Sequence, residues 1–206
     1  MLRMAQCSGW ASDPPAEIAK AETLAREAVE IAGDHPSVLW MAGFALWQLR
    51  IDFDYANELY ERALALNPNS AQALTLSGWA LATSGHTVEA IEILRQAIRL
   101  SPFDPESFFT MSAMGCAYLM AGDYEEALDW TRRALRERPT FGPALRFHAA
   151  SLAELGRVNE SREIIARLLR LEPNLTLSVL RDRVPVGDPR LMASYLEALR
   201  KAGLPE

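Results

Sequence analysis

Apolar residues recur along this chain at spacings of three and four, the period of one face of an α-helix. The clearest stretch is Asn69 to Pro102. Leu74, Ser77, Gly78 and Leu81 share one helical face, and Gly85-His86 interrupts it. A second face runs from about Thr87 through Ala90, Leu94, Ala97 and Ile98. Pro102 closes it, because proline cannot extend the helical hydrogen-bond ladder. Two helices joined by a tight turn are predicted. No stretch alternates with the period of two that a half-buried strand requires.

The same ending returns along the chain. Ala63 to Pro68, Ala97 to Pro102, Ala134 to Pro139 and Leu168 to Pro173 are near copies, and their prolines lie 34, 37 and 34 residues apart. Small residues keep a fixed spacing inside each period. Gly78 and Ala90 are 12 apart, and Ala90 and Ala97 are 7 apart. The same ruler finds Gly115, Ala127 and Ala134, then Gly43, Ala56 and Ala63 with one extra residue in the turn Arg50 to Asp54. Ala149, Ser161 and Leu168 are a degenerate copy, and Gly9, Ala21 and Ala28 an irregular first one. The reading is an array over 1–174, with helix pairs at about 1–35, 36–68, 69–102, 103–139 and 140–173. In such an array each repeat touches only its neighbours.

Local signals refine this. Asp123 reads as an N-cap with Glu126 as the acid of a capping box. Asp104-Pro105 reads as a second cap, in a segment carrying three extra residues, so that helix should be longer or start after a wider loop. After Pro173 the period fails. Residues 175–206 read as a short helix, the loop Val184 to Gly187, and a helix opened by Asp188-Pro189 and closed by Gly203. Its Leu191, Tyr195, Leu196 and Leu199 should bury, while Arg190, Glu197, Arg200 and Lys201 stay wet, as a C-terminal cap of a solenoid requires.

With period and small residues placed, the chain resembles the tetratricopeptide superfamily from Met1 to about Pro173. The resemblance implies an all-α fold: a right-handed superhelical α-solenoid of about five helix pairs with a capping helix. It also implies a non-catalytic surface for a protein or peptide ligand. The tail Tyr195-Leu196-Glu197-Ala198-Leu199-Arg200-Lys201-Ala202-Gly203-Leu204-Pro205-Glu206 resembles the ending of bacterial adenylate/guanylate cyclase-type signalling proteins. Ser77-Gly78-Trp79 and Arg99 to Pro105 are similar to phrases in their repeat regions. This narrower resemblance implies an alternative, a C-terminal regulatory or oligomerising region whose catalytic or DNA-binding part lies outside these residues. Met1 to Trp10 opens a helix without a capping residue, which that alternative takes as a cut solenoid.

Lys plus Arg number 21 against 27 Asp plus Glu, a net charge of −6. That balance disfavours nucleic acid and anionic membranes, which reward a basic face. Cys7 and Cys116 lie far apart and no secretory apolar run precedes them, so a reduced, cytoplasmic setting is expected. No apolar stretch reaches the roughly 18 residues that cross a bilayer.

In arrays of this kind the first helix of each pair lines the concave side. The ruler assigns Trp40, Phe44, Trp47 and Gln48 to it from the second repeat, and Gln72, Thr75, Trp79 and Thr83 from the third. Ser112, Cys116 and Met120 come from the fourth, Arg146 and Ala150 from the fifth, and Trp10 extends the line. The aromatics suit an apolar or amphipathic peptide; the competing account has them packing between repeats. The Lys and Asn set of the family's carboxylate clamp is missing, with Gln6 and Trp10 where its first pair would stand. Arg146 is left to meet a single acidic group. The pattern leaves undecided whether this groove stands open or is filled by the tail.

No catalytic residue, metal site or cofactor is expected. Metal sites need clustered ligands, and His35, His86 and His148 are scattered. His148 falls on a packing position, where a hydrogen-bonded core histidine is the expectation. Cys116 has no histidine placed beside it to make a nucleophile. No phosphate-binding loop occurs, and Arg162, Arg167 and Arg170 read as a solvated stripe.

Overall fold

The computed structural model describes residues 14–206, which form eleven helices and no strand. In chain order they are α1 (Pro14–Ala32), α2 (Pro36–Gln48), α3 (Phe53–Leu66), α4 (Ala71–Thr83), α5 (Thr87–Leu100) and α6 (Ser107–Ala121). Then follow α7 (Tyr124–Glu137), α8 (Gly142–Glu154), α9 (Val158–Leu171), α10 (Leu177–Arg183) and α11 (Pro189–Lys201). The pairs α2–α3, α4–α5, α6–α7 and α8–α9 are those the proline spacing predicts, an α-solenoid arrangement. Gln6, Cys7, Gly9 and Trp10 lie outside the described residues. The chain gathers into two compact units that meet at Ser77/Gly78, within α4.

The two helices of a pair differ in chemistry. α2, α4 and α6 contain no charged residue, whereas α7 carries Glu125, Glu126, Asp129, Arg132, Arg133, Arg136 and Glu137. A helix apolar on all sides must be enclosed, and an amphipathic one can face water. Accordingly α6 buries every residue from Ser112 to Leu119, while α7 buries only Ala127, Leu128, Thr131 and Ala134.

The small-residue ruler marks where the paired helices touch. A methyl added at Gly43 would stand 3.1 Å from the Ala56 carbonyl oxygen. At Gly78 it would meet Leu94 at 2.6 Å and the Ala90 carbonyl at 3.3 Å; at Gly115 it would meet Thr131 Cγ2 at 2.4 Å and the Ala127 carbonyl at 3.4 Å. In the degenerate repeat the same crossing is made by a hydrogen bond: Ser161 Oγ donates to the Ala149 carbonyl at 2.7 Å. The substitution is thus compensated by a bond the smaller residues cannot make.

The turn inside each pair needs one left-handed residue. Gly85, Gly122 and Gly156 supply it with φ of 91°, 87° and 75°. In the second repeat Arg50 does so at φ 59°, before the extra turn residue, accepting a strain of roughly 1–2 kcal/mol.

Two cap readings are corrected. Asp123 stands at the N-cap of α7 but its side chain accepts no cap hydrogen bond. Asp104 does not cap α6; its carboxylate accepts from the Glu106 amide at 2.8 Å in a local turn, and α6 starts after this wider loop at Ser107. Side-chain caps stand elsewhere. Asp52 accepts from the Tyr55 amide at 3.0 Å, and Thr176 from Val179 at 3.2 Å. Asp188 accepts from Arg190 at 2.7 Å and Leu191 at 3.4 Å, opening α11. Gly203 closes that helix at φ 92°.

The course of the tail is the feature the periodicity does not show. After α9 and the short α10, the chain doubles back to the third repeat, where the Gly187 amide donates to the Thr83 carbonyl at 3.0 Å. α11 then returns toward the fifth repeat. Leu191 lies half-buried beside Gly85, and Lys201 bonds Glu154 at the end of α8 at 2.9 Å. Tyr195, Leu196, Leu199, Ala202 and Leu204 are fully enclosed along this path. The tail therefore lies across α4, α6 and α8 rather than only closing one end.

Candidate functional site

The first helices carry the candidate residues, and each compact unit presents its own set. In the first unit, Trp40, Phe44 and Gln48 are half-buried on α2, while Met41 beside them is 57% exposed. Trp47 is buried, its ring 6.1 Å from that of Phe44 on the same helix. Thr75 is buried and Gln72 exposed. Met41 was outside the ruler because it sits one residue off the lining positions, and its exposure follows from side-chain direction that spacing alone does not give.

In the second unit the lining positions are enclosed rather than open. Trp79, Thr83, Ser112, Cys116, Arg146 and Ala150 are all buried, and only Met120 is partly open. The reason is physical and double. The first helices are enclosed by their neighbours, and the tail lies on the remaining side. Trp79 stacks in tilted contact with Phe109 at 4.7 Å and Phe147 at 6.3 Å. Phe147 in turn meets Tyr195 of α11 at 5.7 Å. A shallow cleft remains along the edge of the tail, lined by Leu119, Met120, Tyr124, Glu154, Leu191 and Ala198.

Beneath Tyr195 sits a polar cluster in an apolar setting. Arg146 is 6% exposed. Its Nη1 lies 3.9 Å from Glu172 Oε1, an ion pair too long for a hydrogen bond, and Glu172 is also paired with Arg183. Arg146 Nε and Nη1, the Tyr195 hydroxyl and the Ser112 hydroxyl are buried without a hydrogen-bond partner. The Tyr195 hydroxyl faces the guanidinium but does not reach bonding geometry, and burial pushes its pKa up to about 12. Two guanidinium groups thus share one carboxylate. An unsatisfied buried polar group costs about 1–3 kcal/mol. Arg146→Met is therefore expected to stabilise the chain by about 1–2 kcal/mol, because Glu172 keeps Arg183. Chemical denaturation checks this; a loss of stability would mean that the guanidinium is better satisfied than its geometry indicates.

The titratable groups argue for structure rather than chemistry. Burial pushes the Cys116 thiol up to about 12, against the opposing pull of the Trp79 indole N–H and Arg146. It stays protonated near neutral pH and is a poor nucleophile. His148 behaves as the core histidine expected: its Nδ1 lies 2.7 Å from Thr131 Oγ1. Since that hydroxyl donates to the Ala127 carbonyl at 2.8 Å, Nδ1 is the protonated nitrogen and donates to Thr131. Among the described residues, no group of three His, Cys, Asp or Glu side chains is placed to hold a metal. None of the helices described is long and apolar enough to cross a membrane.

Models of the tetratricopeptide repeat match residues 41–105 and 108–141. A curated human relative, Protein O-mannosyl-transferase TMTC2, is 32% identical over 91 residues, which are 43% of this chain. The chain spans 11% of that relative's length. Among solved structures, PilW, described as a widely conserved type IV pilus biogenesis factor, superposes with a TM-score of 0.68 at 18% identity, over 92% of this chain and 83% of that one. Pseudomonas aeruginosa pilF gives 0.63 at 20% identity, over 98% and 87%. TTC0263, a thermophilic TPR protein in Thermus thermophilus, gives 0.61 at 22%, over 82% and 92%. At these identities the likeness is one of fold.

Proposed function

From a chain that carries tetratricopeptide repeats, we propose that it works as a non-catalytic protein-interaction scaffold, holding a peptide or protein segment against its first helices. The observation that carries this reading is the tail itself. One amphipathic helix and the loop before it are held across α4, α6 and α8 by an aromatic anchor, one backbone hydrogen bond and a peripheral ion pair. That is how a docked helix is bound in a groove. The same first-helix chemistry continues on α2, where Trp40, Met41 and Phe44 keep apolar surface accessible. Large aromatic side chains at such positions dominate interface energy.

Selection of a displayed peptide library on the full chain tests the reading. Selected binders should lose roughly 30-fold in affinity on Trp40→Ala or Phe44→Ala, the effect of removing one anchor worth about 2 kcal/mol. Binders indifferent to both substitutions would contradict it. A second reading, a regulatory or oligomerising region of a cyclase-type signalling protein, draws on the tail phrase, whose apolar residues are those that dock. Self-association measured by light scattering supports its oligomerising form; a monomer at high concentration contradicts it.

A further inference from the structure

The tail fits its groove well by apolar surface and badly by polar groups. Tyr195 is 2% exposed and fills the space over Phe147, yet its hydroxyl stops short of Arg146. Arg146 is more than nine-tenths buried, aims into that space, and leaves Nε and Nη1 unbonded. The carboxylate paired with it, Glu172, is shared with Arg183 and stands 3.9 Å away. Ser112, one helical turn before Cys116, adds a buried hydroxyl with no partner. A buried guanidinium is best satisfied by a planar carboxylate meeting two of its N–H groups at once. A phenol cannot do that, and it brings no charge to balance the second arginine.

We propose that the tail is a resident occupant of the second unit's groove, and that the partner replacing it is a peptide segment with an aromatic side chain next to a carboxylate, the carboxylate pairing with Arg146. This rests on the scaffold reading and names its partner chemistry. The tail supplies the apolar half of the recognition and withholds the ionic half, so a segment offering both outcompetes it. The contacts that hold the tail at its margins are Gly187 to Thr83, Leu191 beside Gly85, Lys201 to Glu154, Gly203 against Arg162 and the Leu177 amide to the Pro205 carbonyl. Cys116, fully buried beside Trp79 and influenced by both Arg146 and Tyr195, lies under the occupant. Its reactivity therefore reports whether the occupant is in place.

The experiment uses the full chain with Cys7→Ser, so that Cys116 is the sole thiol of the two cysteines. Tyr195→Ala is expected to raise the rate of Cys116 labelling by Ellman's reagent at least tenfold with helicity retained. An unchanged rate overturns the resident occupant. Should Tyr195→Ala fail to fold, Leu191→Asp at the edge of α11 gives the same expected direction and the same contrary outcome. The probe is a synthetic peptide of residues 184–206 carrying, at position 195, either para-carboxyphenylalanine or its uncharged carboxamide. The acid should bind the Tyr195→Ala chain at least tenfold more tightly than the amide, and Arg146→Gln should abolish the difference. Equal binding of the two peptides overturns the carboxylate subsite. Labelling and peptide charge read the tail's groove alone, whereas Trp40→Ala and Phe44→Ala read α2, so failure here is distinct from failure of the scaffold reading.

Discussion

Lowering the pH from 7 to 4 is expected to remove about 3 kcal/mol of folding stability through His148 alone. Burial drives its pKa from 6.5 down to about 4, with Arg132, Arg157 and Arg167 adding to the effect and Glu160 opposing it. A shift of this size corresponds to about 1.4 kcal/mol per unit. Because the folded value lies below the unfolded one, the unfolded chain takes up the proton first. The contribution is complete above about pH 6.5 and is lost as the pH falls toward 4. The structural reason is that the ring is largely buried and lies near Arg132 of α7, Arg157 at the start of α9 and Arg167 within it. His148→Gln should flatten the fall of stability between pH 6.5 and 4.5, measured by urea unfolding at each pH. An unchanged slope in that variant would place the acid sensitivity elsewhere.

Gly115→Val should be as severe, about 3 kcal/mol. A methyl at that position already meets Thr131 Cγ2 at 2.4 Å, and the branched side chain adds volume at the point where α6 and α7 cross. Overpacking of a tight core costs about 1–3 kcal/mol, and the few tenths of a kcal/mol by which valine exceeds glycine in helix propensity do not offset it. Thr131 has little room to yield, because its hydroxyl is tied to the Ala127 and Leu128 carbonyls and to His148. For a chain of this length the thermal midpoint should fall by roughly 6–12 °C. Gly122→Val is the contrast: nothing stands within 4 Å of its added methyl, and only the left-handed backbone at φ 87° resists the change.

The repeats were legible because their signals are local and redundant. Proline ends, glycine turns and small residues 12 apart each point to one register, and every crossing from Gly43–Ala56 to Ala149–Ser161 falls where the ruler puts it. The caps were less legible. Asp123 and Asp104 have the right residue type, but whether a carboxylate turns toward a helix start depends on a few degrees of backbone that composition does not encode. The candidate site was legible as a set of helix positions and illegible as a surface. The burial of Trp79, Cys116 and Arg146 comes from neighbouring first helices, as where Trp79 packs on Phe109 and Phe147, and from α11, which arrives from far down the chain. The docking of Tyr195 on Phe147 leaves no periodic trace. What the pattern did contain was the apolar stripe of α11 itself, and a stripe names its own buried face without naming its partner.

That partnership is the point on which the account turns, and proton–proton contacts in the full-length chain in solution test it most directly. The Tyr195 and Phe147 rings, 5.7 Å apart between centres, should give strong mutual cross-peaks. The Gly187 amide should exchange slowly with solvent while bonded to Thr83. A Tyr195 ring without contacts to Phe147, together with a freely exchanging Gly187 amide, would contradict a groove held by the chain's own tail.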